Sequence, residues 1–150
     1  MAGLIGAGVT FKGLTHRDFY YPALISGTVT ISDLGKAVTQ DTTAANTIKL
    51  AGDGDEIIGR LEVFEDRTNT EGIVVATYSR LGGLKFPLKA AEVVVVGDSI
   101  QGAGSGEVKA LPVSQDTAAG GGDTDIAHTS HDRKNRVWEV GADYVIATLE

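Results

Sequence analysis

From position 21 onward, β-branched and other apolar residues recur in short runs that Gly and Asp clusters interrupt. The interval of about eight to twelve residues fits short strands joined by turns. The pattern predicts an all-β fold. Residues 24–31 and 47–50 read as strands, and Asp53-Gly54 is a tight-turn dipeptide that predicts a hairpin into the following segment. Across residues 57–65, Gly59, Leu61 and Val63 alternate with Arg60 and Glu62, the period of a strand with one wet face. A polar turn over 66–72 leads into a strand over 73–79, and Gly82-Gly83 predicts the next turn. Leu84, Phe86 and Leu88 then alternate with Lys85, Pro87 and Lys89, and Pro87, having no N–H to give, places this segment at a sheet edge. Residues 93–96 are four valines without alternation, which predicts a core strand buried on both faces. Gly97-Asp98 is a turn, and Ile100 opens a short stretch closed by Gly102-Ala-Gly-Ser-Gly106. Residues 107–113 make a further strand, and 137–140 with 144–149 form a last hairpin across Gly141-Ala-Asp143. No segment sustains a helical period.

Two stretches stand outside this rhythm. Residues 114–135 are polar, hold Gly120-Gly121-Gly122 and show neither period, so they read as a long polar loop. The first 22 residues carry Gly3, Gly6 and Gly8 together with Phe11, Phe19, Tyr20 and Tyr21, half of the protein's Phe and Tyr. The organisation that follows is an extended N-terminal arm, 1–22, and a small β-barrel or β-tulip-like domain, 23–150. Aromatic rings on such an arm either anchor on a partner, burying much area at low entropy cost, or cap the protein's own barrel.

Composition narrows the chemistry. A chain of 150 residues suits one domain, and its 20 glycines fit many turns. With 13 Lys and Arg against 20 Asp and Glu, the formal charge of −7 gives no general footprint for nucleic acid. The absence of cysteine excludes disulfides and thiolate chemistry. No apolar run approaches the ~20 residues of a membrane span, and the first residues lack the basic start of a secretion signal. Arg133, Lys134 and Arg136 form the one basic cluster, which either docks on an acidic partner surface or is a solvated turn. No cofactor or metal is expected. His128, His131 and Asp132 lack further ligands at fixed spacing, Asp53-Gly-Asp55-Glu56 lacks the rest of a calcium loop, and Gly6-Ala-Gly8 has Phe11 where a dinucleotide fingerprint needs glycine.

One motif points to catalysis. Val93-Val-Val-Val-Gly-Asp-Ser-Ile-Gln-Gly102 resembles the nucleophile block of GDSL-type esterases, and Asp125-Ile-Ala-His128 resembles their distal Asp-x-x-His. That resemblance would make Ser99 the nucleophile, His128 its base and Asp125 the orienter. The context opposes it: the block stands late in the chain, no helical crossovers are visible, and no asparagine lies between Ser99 and Asp125 to form the family's oxyanion block. Gly-Asp-Ser reads instead as a β-turn, so Ser99→Ala is expected to cost only ~0.5 kcal/mol, and no catalytic residue is assigned.

Taken in order, Gly35-Lys-Ala-Val-Thr39, Ala44-Ala-Asn-Thr-Ile-Lys-Leu50, Asp53-Gly-Asp-Glu-Ile-Ile-Gly-Arg-Leu61, Glu71-Gly72, Val96-Gly-Asp-Ser-Ile100, Gly102-Ala-Gly104 and Asn135-Arg-Val-Trp-Glu-Val140 resemble the small capsid decoration, or cement, proteins of tailed bacteriophages. The resemblance spans residues 23–150. It implies a β-barrel or β-tulip domain on the outer surface of the virion, self-associated as a homotrimer or dimer. There it would bridge neighbouring copies of the major capsid protein, with no enzyme activity. Phe11, Phe19, Tyr20, Tyr21, Arg133, Lys134 and Arg136 are then the candidate capsid-binding residues. A small esterase and a β-barrel fibre or receptor-contact module are the alternatives.

Overall fold

The all-β expectation holds. A computed structural model describes residues 20–112 and 135–149. Five strands, β1 (Tyr20–Ile25), β2 (Ala37–Gln40), β3 (Thr47–Leu50), β4 (Gly59–Arg67) and β5 (Ile73–Ser79), close into a barrel in the order β1-β3-β2-β4-β5. Closure leaves these strands without a free edge. A one-turn helix, α1 (Thr68–Glu71), joins β4 to β5 and ends at Gly72 with φ 70°. Beyond the barrel, β6 (Gly82–Pro87), β9 (Asn135–Val140) and β10 (Tyr144–Leu149) form an antiparallel sheet in the order β6-β10-β9, and β7 (Ile100–Gly104) pairs with β8 (Glu107–Ala110).

Two hydrophobic cores result. Ile25, Val38, Ile48 and Leu61 fill the barrel, while Phe86, Ile100, Val108, Val137 and Val145 pack between its outer wall and the later strands. Strand β2 separates the two. Side chains alternate across a strand, so Ala37 stands in the second core and Val38 in the first, both at 0% exposure.

Several expectations are met closely. The strand at 73–79, the last hairpin, the alternation of Leu84 and Phe86 with Lys85, and the edge position of Pro87 are all as read. Others are corrected. Tyr20, Tyr21 and Pro22 belong to β1 and pair with Ser79, Tyr78 and Thr77, so any arm ends before Tyr20; residues 1–19 lie outside the described residues. The first strand stops at Ile25, and residues 31–33 form a single 3-10 turn in which Asp33 Oδ2 accepts the Thr30 N–H at 2.7 Å.

Asp53-Gly54 does not close a hairpin between β3 and β4, which are not neighbours. The segment turns toward β7 instead: Gly54 N–H donates to Gly102 O and Gly102 N–H to Asp55 O, each at 2.9 Å. Gly102 is thus a strand residue, and a Cβ there would lie 2.1 Å from the Gly52 carbonyl oxygen. Gly82 and Gly83 likewise open β6 and pair with Leu149 and Thr148. On β4 the register shifts between Leu61 and Val63; this irregularity turns Val63 outward and sets Phe64 against the barrel core.

The largest correction concerns residues 93–96, which are neither a strand nor buried as a run. Only Val94 enters the core, at 5% exposure.

Candidate interaction surface

Val93, Val95 and Val96 are exposed to 79, 57 and 63%. The backbone holds them there. Val94 plugs into the core below, Val95 N–H donates to Asp98 Oδ2 at 2.9 Å, and Asp98 N–H returns a bond to Val95 O at 3.1 Å. Gly97 takes φ 97°, a left-handed conformation that glycine adopts without strain. Its N–H donates to Val137 O at 2.9 Å, and Val137 N–H donates to Asp98 O at 2.8 Å. These bonds cover the outer edge of β9 and fix the valines beside it.

Trp138 follows Val137 and is 64% exposed. It lies where β9 and β10 slip register between Ile146 and Ala147, and its Nε1–H donates to Thr148 Oγ1 at 3.1 Å. Arg136 stands two residues earlier and is exposed on the same side of β9. Three exposed valines leading into a turn bonded to β9, with an exposed tryptophan and arginine on β9 itself, have the composition of a protein–protein contact. Exposed apolar groups held near one another mark such sites, and Trp and Arg are over-represented among the residues that carry binding energy.

The candidate residues read from the sequence separate accordingly. Arg136 lies beside this surface, whereas Tyr20 and Tyr21 are part of the barrel wall. The Tyr21 ring stacks on Tyr78 with centroids 5.6 Å apart, and the Arg80 guanidinium lies 6.0 Å from the Tyr21 ring centroid. Burial is the first cause raising the Tyr78 hydroxyl above its ordinary pKa. Phe11, Phe19, Arg133 and Lys134 lie outside the described residues. Trp138 was legible from alternation alone, since a β9 that buries Val137 must turn Trp138 outward.

Ser99 follows the Gly97-Asp98 turn but is only 2% exposed. Its hydroxyl donates to Asn135 O at 2.9 Å, and the Asn135 side chain clasps the Ile100 backbone, accepting its N–H at 2.7 Å and donating to its carbonyl at 3.0 Å. The group is a buried tether between the start of β7 and β9. The low cost expected of Ser99→Ala from a surface turn is therefore revised upward. Asp125, His128, His131 and Asp132 lie outside the described residues. Asp53 pairs with Lys109 at 2.7 Å, and the hydrogen bond from that ammonium holds its carboxyl below the usual range. Asp55 Oδ2 accepts the Gly52 N–H at 2.9 Å. Both carboxylates thus serve the turn that read as calcium-like. Among the described residues, no three His, Asp or Glu side chains are gathered to hold a metal, and no helix is long and apolar enough to cross a membrane.

No family model and no curated protein matches the chain.

Proposed function

We propose that the protein is a virion decoration protein that binds the outer surface of the mature phage head and stabilises contacts between major capsid subunits. Two things support this reading: the phrase-by-phrase resemblance to cement proteins, and the surface formed by Val93, Val95, Val96 and Trp138. The second carries it. Leaving apolar side chains in water is unfavourable by about 25 cal/mol per Å², and here the backbone pins them outward where a flexible loop would fold them in. A partner lattice that presents many copies of a complementary patch gains from many weak contacts at once, and binding only the mature state stabilises that state by mass action. The arrangement around Ser99 lends no support to the esterase alternative.

Co-sedimentation of the full-length protein with undecorated heads tests the proposal. Wild-type protein should pellet with heads, and Trp138→Ala should weaken attachment roughly thirtyfold, the equivalent of ~2 kcal/mol at a central anchor. The variant's thermal midpoint should stay close to wild type, since the ring is mostly in solvent. Failure of the wild type to pellet, or undiminished attachment of the variant, rejects the reading.

A further inference from the structure

A second feature lies apart from this surface. Where the barrel wall meets the edge strand β6, a cleft of about 340 Å³ opens, a size in the range of small-ligand pockets. Lys36 just ahead of β2, Arg60 on β4 and Lys85 on β6 all line it. Leu34, Pro87 and Tyr144 supply apolar surface, and Asp143 is its single lining carboxylate. Three cations line one cleft of a chain whose formal charge is −7, two of them paired with the neighbouring carboxylates of Asp33 and Glu62.

Two of them are set in place from behind. Lys36 Nζ lies 2.7 Å from Asp33 Oδ1, and that hydrogen bond is the first cause holding the Asp33 carboxyl below its ordinary pKa. Arg60 Nη2 lies 2.7 Å from Glu62 Oε1, which also accepts the Ser79 hydroxyl at 2.6 Å. Arg60 also donates Nε–H to Glu62 Oε1 at 2.8 Å and Nη1–H to Lys85 O at 3.4 Å. An ammonium has three N–H donors and a guanidinium five, so both side chains keep donors beyond their bonds. Lys85 is different. Its ammonium rests 3.8 Å from the Tyr144 ring centroid and makes no salt bridge among the described residues. A ring face attracts a cation without neutralising it.

We propose that this cleft binds an acidic, extended peptide segment of a partner protein. Carboxylates spaced along such a segment meet Lys36, Arg60 and Lys85, while Leu34, Pro87 and the Tyr144 ring cover the stems that carry them. The Asp143 carboxylate disfavours a compact multivalent anion but can accept a backbone N–H, which a peptide supplies and inorganic phosphate does not. The cleft shares no residue with the valine and tryptophan surface, so the proposal stands whether or not the protein binds heads.

Fluorescence anisotropy with the full-length protein and a short labelled peptide alternating glutamate with leucine provides the test. The glutamate peptide should bind, its glutamine counterpart should not, and affinity should fall with added salt. Lys85→Glu should weaken binding about tenfold or more, whereas Lys85→Arg should retain it. Lys85 is exposed, so circular dichroism should show both variants folded. Equal affinity in wild type and Lys85→Glu overturns the proposal, as does equal binding of the glutamine peptide. Displacement of the peptide by an equal concentration of inorganic phosphate overturns it too, marking a simple anion site.

Discussion

At the scale of single residues, burial decides what a polar side chain is worth. Ser99 lies next to a turn in sequence, but its hydroxyl reaches a buried carbonyl on β9. Removing the donor leaves that acceptor poorly satisfied, a loss of about 2 kcal/mol, or some 4–8 °C in thermal midpoint at this chain length. A shift below one degree for Ser99→Ala in calorimetry would return the residue to an ordinary turn. Asp41 is the contrasting case, only half-buried yet strongly held. Its carboxylate accepts the Ser26 hydroxyl at 2.5 Å, the Thr43 hydroxyl at 2.6 Å and the Thr43 N–H at 2.9 Å. These bonds, the Ser26 contact foremost, lower its pKa from 3.8 to about 2. Because the folded value lies below the unfolded one, the bonds stabilise at neutral pH, and their contribution is lost as pH falls from about 4 through about 2. Asp41→Asn should therefore lower the thermal midpoint near neutrality and converge with wild type near pH ~2. Thermal melts across that window check the convergence, and a constant offset would contradict it.

At the scale of elements, what was legible is what a strand reveals about itself. Runs of β-branched and apolar residues between turns located β5, β9 and β10, and alternation located β6 and the wet face at the start of β4, because both signals are local to the segment. Partner choice is not local. Asp53-Gly54 has hairpin chemistry, yet β3 pairs with β2 and parallel to β1, which leaves the dipeptide to bond β7. The four valines have strand propensity, but bonds to Asp98 and Val137 turn three of them outward, and propensity yields to such tertiary context. Tyr20 and Tyr21 gave an arm's composition and a strand's pairing. The candidate surface was half visible: Trp138 follows from alternation, whereas the valines were assigned to the opposite environment. Gly102 puts this to a test at element scale. With the Gly52 carbonyl where its Cβ would stand, Gly102→Ala must push β7 off the 52–55 segment, at a cost of about 2–4 kcal/mol. Chemical denaturation measures it, and a change under 0.5 kcal/mol, the size of an ordinary surface substitution, would mean that the two segments are not in register.

At the scale of the whole molecule, two differently built faces stand on one scaffold. The β9 edge offers apolar groups fixed by backbone hydrogen bonds, and the cleft at β6 offers two cations fixed by neighbouring carboxylates and a third resting on the Tyr144 ring. Both depend on the same three-stranded sheet: Val137 on β9 bonds the turn that carries the first, and Lys85 on β6, at the opposite edge, lines the second. On the proposed reading, that separation lets one face engage the head while the other is open to a further chain.

Strand β2 has a consequence for how this sequence is free to vary. Ala37 and Val38 are chain neighbours that fill opposite interiors, so volume added to one interior displaces a wall that the other also uses. A larger side chain at position 37 would be compensated not only by a smaller one beside it but also by changes around Val38 and Leu61 on the far side. Substitutions in the two interiors are thus thermodynamically coupled, and neither half can be redesigned or exchanged as a cassette without retuning the other.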